Sequence, residues 1–136
     1  MGLFDIIRSG KGQKNVCNDI GEFAFTELEG TNNFKGTVNS KIGQGIELLF
    51  PVNTTEISHY QTEYFREIES NWSFILKQLK SLNSKNDFEL YSVTSILIPE
   101  KESDFYDMDA EIVFQKGNDI ISIILSGLSV DEIIEI

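Results

Sequence analysis

Between Ile57 and Leu82 the apolar positions Ile57, Tyr60, Tyr64, Phe65, Ile68, Trp72, Ile75, Leu79 and Leu82 recur at steps of three, four and one. That spacing marks one face of a 3.6-residue period. No glycine or proline interrupts the run. The pattern predicts a single helix over roughly 56–82, with Asn53 as N-cap and Glu56 completing a capping box. The polar stretch Asn83–Asp87 would end it. At 1.5 Å per residue such a helix is roughly 40 Å long, so one end projects or bends beyond a small sheet.

Period two governs the flanks. Phe23 and Phe25 share one face of residues 21–28, as in a half-buried strand. Residues 31–33 read as a turn and 34–40 as a second strand. A turn at 43–45 leads to a third strand ending at Pro51, and the three form an antiparallel meander. On the C-terminal side, residues 88–99 are rich in β-branched and aromatic side chains and read as one long strand. Residues 107–115 and 120–126 read as a hairpin turning at Gly117–Asn118. Its register sets Phe114 opposite Ile121, Ile112 opposite Ile123 and Ala110 opposite Leu125, all on one face, with Lys116 opposite Asp119. Ile120 and Ile124 fall on the other face, so this strand is expected to be covered on both sides. Residues 128–136 add a last strand, and 2–9 read as a short amphipathic helix. The fold class expected is α+β, one domain over 1–136. An antiparallel sheet of about six to seven strands, meander plus hairpins, would pack against one long central helix.

Composition narrows the function classes. At 136 residues, 40% hydrophobic and 24% charged, the chain has the make-up of a single folded domain. The single cysteine, Cys17, allows no internal disulfide, which fits a reducing compartment. The N-terminal stretch lacks a signal-peptide layout, and no apolar run approaches the ~18 residues of a membrane helix. A cytoplasmic protein is expected. The net charge of −11 disfavours nucleic acid, whose phosphates require a basic footprint, and suits a basic protein partner.

That charge is concentrated. Residues 100–111 hold Glu100, Glu102, Asp104, Asp107, Asp109 and Glu111 against Lys101 alone, −5 of the total. Asp107, Asp109 and Glu111 alternate with Met108, Ala110 and Ile112, which on a strand places the acids on one wet face. Unit charges about 7 Å apart in water repel by only ~0.6 kcal/mol, so no cation is required there. An EF-hand pattern fails because Ile112 stands where the glycine belongs. Phe105 and Tyr106 lie within the charged run, and aromatics inside a charged rim are the anchors that interfaces use. The candidate partner-binding residues are therefore Glu102, Asp104, Phe105, Tyr106, Asp107, Asp109 and Glu111.

Other chemistry finds little footing. His59, the sole histidine, has Glu63 one helical turn on, but two ligands are short of a metal site. No motif joins Cys17 to His59, there is no G-x-S-x-G, and the glycine pairs 10/12 and 43/45 lack phosphate-loop spacing. No catalytic, metal or cofactor-binding residue is assigned.

The order of elements resembles a loose group of small bacterial proteins of uncharacterised function. The resemblance rests on Gly21, Phe23 and Phe25 in a first strand, Phe34 and Gly36 in a second, the Asn71–Trp72 pair on the helix, and Ile123, Leu125 and Gly127 near the end. Phe34 stands where that group often has Trp. Such proteins resemble the accessory and immunity proteins encoded beside bacterial toxins, and the resemblance implies no catalytic residues. The leading expectation is thus a non-enzymatic acidic interaction protein, in its finer form an immunity protein neutralising a basic bacterial toxin, monomeric or homodimeric. One alternative is a small-ligand-binding protein or enzyme with a pocket between helix and sheet, lined by Tyr60, Tyr64 and Trp72. Another is a homodimeric accessory protein built through the last strand or the helix end.

Overall fold

The structure, a computed structural model, describes residues 15–28 and 30–136. The helix expected over 2–9 lies outside the described residues. Among the described residues eight strands form one sheet in strict sequence order: β1 (Asn15–Cys17), β2 (Glu22–Leu28), β3 (Thr31–Ser40), β4 (Gly43–Val52), β5 (Ser92–Leu97), β6 (Ala110–Lys116), β7 (Asp119–Ser126) and β8 (Ser129–Glu135). Every neighbouring pair is antiparallel except β4–β5, which is parallel. Two helices, α1 (His59–Ser70) and α2 (Trp72–Leu82), carry the chain back between those two strands, as a parallel pairing requires.

The fold class expected from the sequence is therefore corrected on two points. The sheet is mixed and eight-stranded, and the helical region is two short helices rather than one long one. The break falls at Asn71, with φ −113° and ψ 22°. Its side-chain amide donates to the Glu67 carbonyl at 2.9 Å, and its own N–H is shared between Glu67 and Glu69. An asparagine that bonds nearby backbone in this way competes with helix propagation. The apolar stripe crosses the break unaltered, since Ile68, Trp72, Ile75 and Leu79 keep steps of four, three and four. Periodicity is blind to such a kink.

The helix start is also displaced. Ser58, not Asn53, is the N-cap, and Gln61, not Glu56, closes the capping box. Gln61 is fully buried. Its amide nitrogen donates to the Pro51 and Ile98 carbonyls at 2.7 and 2.8 Å, and its oxygen accepts from the Ser58 N–H and hydroxyl. The β4–β5 ladder runs Glu47↔Ser95, Leu48↔Ile96 and Leu49↔Leu97, then ends with the Ile98 N–H on the Leu49 carbonyl. Where backbone pairing stops, one side chain continues it.

One face of the sheet and the inner sides of the helices make the core. Phe23, Phe34, Ile46, Leu48, Phe50, Ile96, Ile112, Phe114 and Ile123 meet Phe65, Ile68, Ile75 and Leu79 there, all buried. Phe34 lies opposite both Phe25 and Phe50. Gly36 is required by close approach, because a Cβ there would lie 2.4 Å from the Glu22 carbonyl oxygen and 2.7 Å from the Phe23 ring. The β6–β7 hairpin has the register read from the sequence, from Ala110↔Leu125 to Lys116↔Asp119, with Gly117 at φ 62°. The strand expected over 88–99 is shorter: Phe88–Leu90 is a 3-10 turn and pairing begins at Ser92. Residues 31–33 belong to β3 rather than to a turn. On the sheet's other face Leu49, Leu97, Val113, Ile120 and Ile124 are half-buried. Among the described residues no helix is long and apolar enough to cross a membrane.

Replacing Gln61 with Leu leaves the Pro51 and Ile98 carbonyls buried without donors. An orphaned buried polar group costs about 1–3 kcal/mol, so urea unfolding is expected to show a loss of about 2–4 kcal/mol. A loss within measurement error would show that the amide bridge contributes nothing.

Candidate functional site: the acidic loop and the terminal hairpin

The loop between β5 and β6 carries most of the candidate residues, and the end of β4 anchors it. Asn53 does the anchoring: its N–H donates to a Glu100 carboxylate oxygen at 2.7 Å, its side-chain amide donates to the Glu102 carbonyl at 2.9 Å, and its side-chain oxygen accepts from the Asp104 N–H at 3.1 Å. The residue expected to cap a helix thus holds the acidic loop. The Ser103 hydroxyl accepts from the N–H groups of Phe105 and Tyr106, both at 3.2 Å. This local turn leaves the Phe105 side chain 58% exposed, with Tyr106 half-buried beside it.

The seven candidates divide by what their side chains do. Glu102, Asp104, Phe105 and Asp107 are exposed. Asp107 and Asp109 precede β6 rather than lying on it, so the alternating acidic strand face expected there is corrected: only Glu111 belongs to the strand. Glu111 accepts from the Ser122 hydroxyl on the neighbouring strand. Asp109 accepts from the Gly127 N–H at 2.7 Å, and the Gly127 carbonyl accepts from the Tyr64 hydroxyl at 2.6 Å. The turn between β7 and β8 is therefore gripped from the loop by Asp109 and from α1 by Tyr64. Gln78 of α2 adds a third hold, donating to the Leu128 carbonyl at 2.8 Å and accepting from the Val130 N–H at 2.9 Å.

This arrangement brings together carboxylates that are distant in sequence. Asp107 and Asp109 line an open groove of about 390 Å³ with Asp131 and Glu132 of β8, over Met108, Ile124 and Ile134. Among the described residues no lysine or arginine lines it. Sequence reasoning missed Asp131 and Glu132. Their signal was the pairing of the last two strands, which sets Ile124 opposite Glu132. Among the described residues no three His, Cys, Asp or Glu side chains are placed to hold a metal ion.

The remaining candidates have ordinary occupations. Trp72 stacks on Phe114 with ring centres 5.9 Å apart, and Phe88 meets the same ring edge-on at 5.1 Å. Tyr60 and Tyr64 pack together, 5.7 Å between centres. The space expected as a pocket between helix and sheet is filled by these rings together with Phe65, Ile68 and Ile75. His59 is exposed at the first position of α1, and Glu63 pairs with Arg66 rather than with it. Arg66 also pairs with Asp19. Cys17 is exposed on β1.

Compared with known proteins, the chain matches no family model, no curated protein and no solved structure.

Burial, assisted by the negative charge of Asp109, raises the Tyr64 phenol above the ordinary tyrosine range, and Tyr60 moves the same way for the same reasons. A phenol whose pKa is higher folded than unfolded stabilises fully below the unfolded value of about 10. That contribution fades as pH rises further, because the unfolded chain ionises first. Stability is thus expected to fall above about pH 10, and Tyr64→Phe to flatten that fall while costing about 1 kcal/mol at neutral pH through the lost hydrogen bond. Equilibrium unfolding between pH 7 and pH 11 (roughly the window set by that pKa) checks both. An unchanged alkaline slope in the variant would place the titration elsewhere.

Proposed function

We propose that the chain is a non-enzymatic interaction protein of the cytoplasm that docks a basic protein on the acidic face made by the β5–β6 loop and β8. In its finer form the reading is an immunity protein that neutralises a basic bacterial toxin. The observation that carries it is the convergence of Asp107 and Asp109 with Asp131 and Glu132 around one groove that, among the described residues, no cation lines. Exposed Phe105 stands on the adjoining loop, which is pinned through Asn53. A fixed loop loses little conformational freedom on binding, so its contacts convert more fully into affinity. Desolvated aromatics anchor interfaces, and a single-sign rim accelerates encounter with a partner of opposite sign more than it tightens the complex.

The two roles separate in kinetics. A basic partner isolated from the source cells should associate about tenfold more slowly with the Glu102→Gln, Asp104→Asn, Asp107→Asn variant, with a flatter salt dependence. Phe105→Ala should instead speed dissociation, by about tenfold for a lost anchor of 1–2 kcal/mol. Association rates and salt slopes identical to those of the unaltered chain would refute the docking surface.

A further inference from the structure

Among the described residues β8 is the last strand of the sheet, and its outer edge is only half occupied. The Ile136 N–H donates to the Ile120 carbonyl at 3.0 Å. Antiparallel alternation along the Ile121↔Glu135 to Ile124↔Glu132 register then turns the N–H and C=O groups of Glu132 and Ile134 toward β7. Those of Ile133 and Glu135 face outward. Nearer the turn the edge is already capped, because Gln78 takes the Val130 N–H and the Leu128 carbonyl. The register shifts between Ile124 and Leu125, which bulges β8 at Asp131 and separates the capped half from the open half.

The two sides of this open edge differ in chemistry. On the helix side Phe74 and Leu82, 51% and 61% exposed, line a shallow and largely apolar groove with Val130. On the other side lies the groove of Asp107, Asp109, Asp131 and Glu132. A strand added here presents alternate side chains to the two sides. Its best complement carries apolar groups toward Phe74 and Leu82 and cations toward the carboxylates. Lys85 pairs with Glu135 on the helix side, and Lys77 lines the apolar groove, so the cations of an incoming strand are directed to the opposite side. A second copy fits poorly. Pairing two β8 edges antiparallel about Ile133 lays the two acidic grooves, each with its own Asp131 and Glu132, side by side on one face of the joined sheet, where like charges repel.

We propose that the open edge of β8 captures an extended segment of another protein in which lysine or arginine alternates with apolar residues, adding it to the sheet by backbone pairing. The proposal rests on the acidic-docking reading above and names the form its partner takes. The probes are two end-capped synthetic peptides of equal composition: alternating Lys-Val-Lys-Val-Lys-Val-Lys and block-ordered Lys-Lys-Lys-Lys-Val-Val-Val. The alternating peptide should slow amide hydrogen exchange at Ile133 and Glu135 at least about tenfold, and the block peptide should bind about tenfold more weakly. Glu135→Pro removes an outward N–H but no bond to β7, and should weaken the alternating peptide about tenfold. Should that variant not fold, the exchange of Ile133 and Glu135 in the unaltered chain decides.

Equal binding of both peptides with unchanged exchange at those amides overturns strand capture. If Glu132→Lys then abolishes that binding, acidic docking stands without it. Binding of neither peptide also overturns capture, while the docking reading is judged separately by the Glu102, Asp104 and Asp107 variant. Protection of Ile133 and Glu135 without peptide, growing with protein concentration alongside dimers in sedimentation, overturns it in favour of a second copy.

Discussion

The Gln61 side chain sits where two parallel strands stop pairing and a helix begins, and it satisfies four polar groups that burial would otherwise orphan. Both of its amide protons and its carbonyl oxygen are used, so no other residue replaces it: leucine supplies no bonds, and glutamate sets an acceptor against two acceptors. Through this amide the entry to α1 is fixed against the ends of β4 and β5 together. That fixes where the helices cross the sheet, and hence which strand faces are buried. Asn53 lies just beyond on the same chain, so the anchor of the acidic loop is positioned by the same junction.

The acidic surface is partly a structural device. Glu100, Asp109 and Glu111 are committed to hydrogen bonds with Asn53, Gly127 and Ser122. Carboxylates that accept bonds from the protein are not free to move toward a partner, yet they fix the backbone from which the exposed ones project. Glu102 and Asp104 therefore project from backbone that Asn53 holds. Asp109 serves both purposes, since it lines the groove and holds the turn that positions Asp131 and Glu132.

What the sequence disclosed follows from which interactions are local. The β6–β7 register was legible because its turn, its Lys116–Asp119 pair and its apolar face lie within seventeen consecutive residues and agree with one another. The helical break at Asn71 was hidden because its neighbours keep the apolar stripe in phase across it. Ser58 and Gln61 do carry a capping-box pattern in the sequence, and the Asn53–Glu56 pair competed with it; only burial at the strand ends separates the two. The parallel pairing was illegible for a different reason. Strand patterning reports which face is buried, not which neighbour lies alongside. The candidate loop was visible as a charge excess, whereas Asp131 and Glu132 join it only through the pairing of the last two strands.

The strict sequence order of the sheet has a kinetic consequence. Every antiparallel pair joins segments adjacent in the chain, and the β2–β3–β4 and β6–β7–β8 hairpins close short loops. Among the described residues the one nonlocal ladder is β4–β5, which brings together Glu47 and Ser95, 48 positions apart in the chain. Loop-closure entropy must be met before such contacts repay it. Two meanders that can form early thus meet at a seam that forms late, and the helices and the Gln61 bridge lie across that seam. In the order that loop closure favours, the β4 and β5 edges pair last, and every residue lining the acidic groove belongs to the half-sheet that follows the seam.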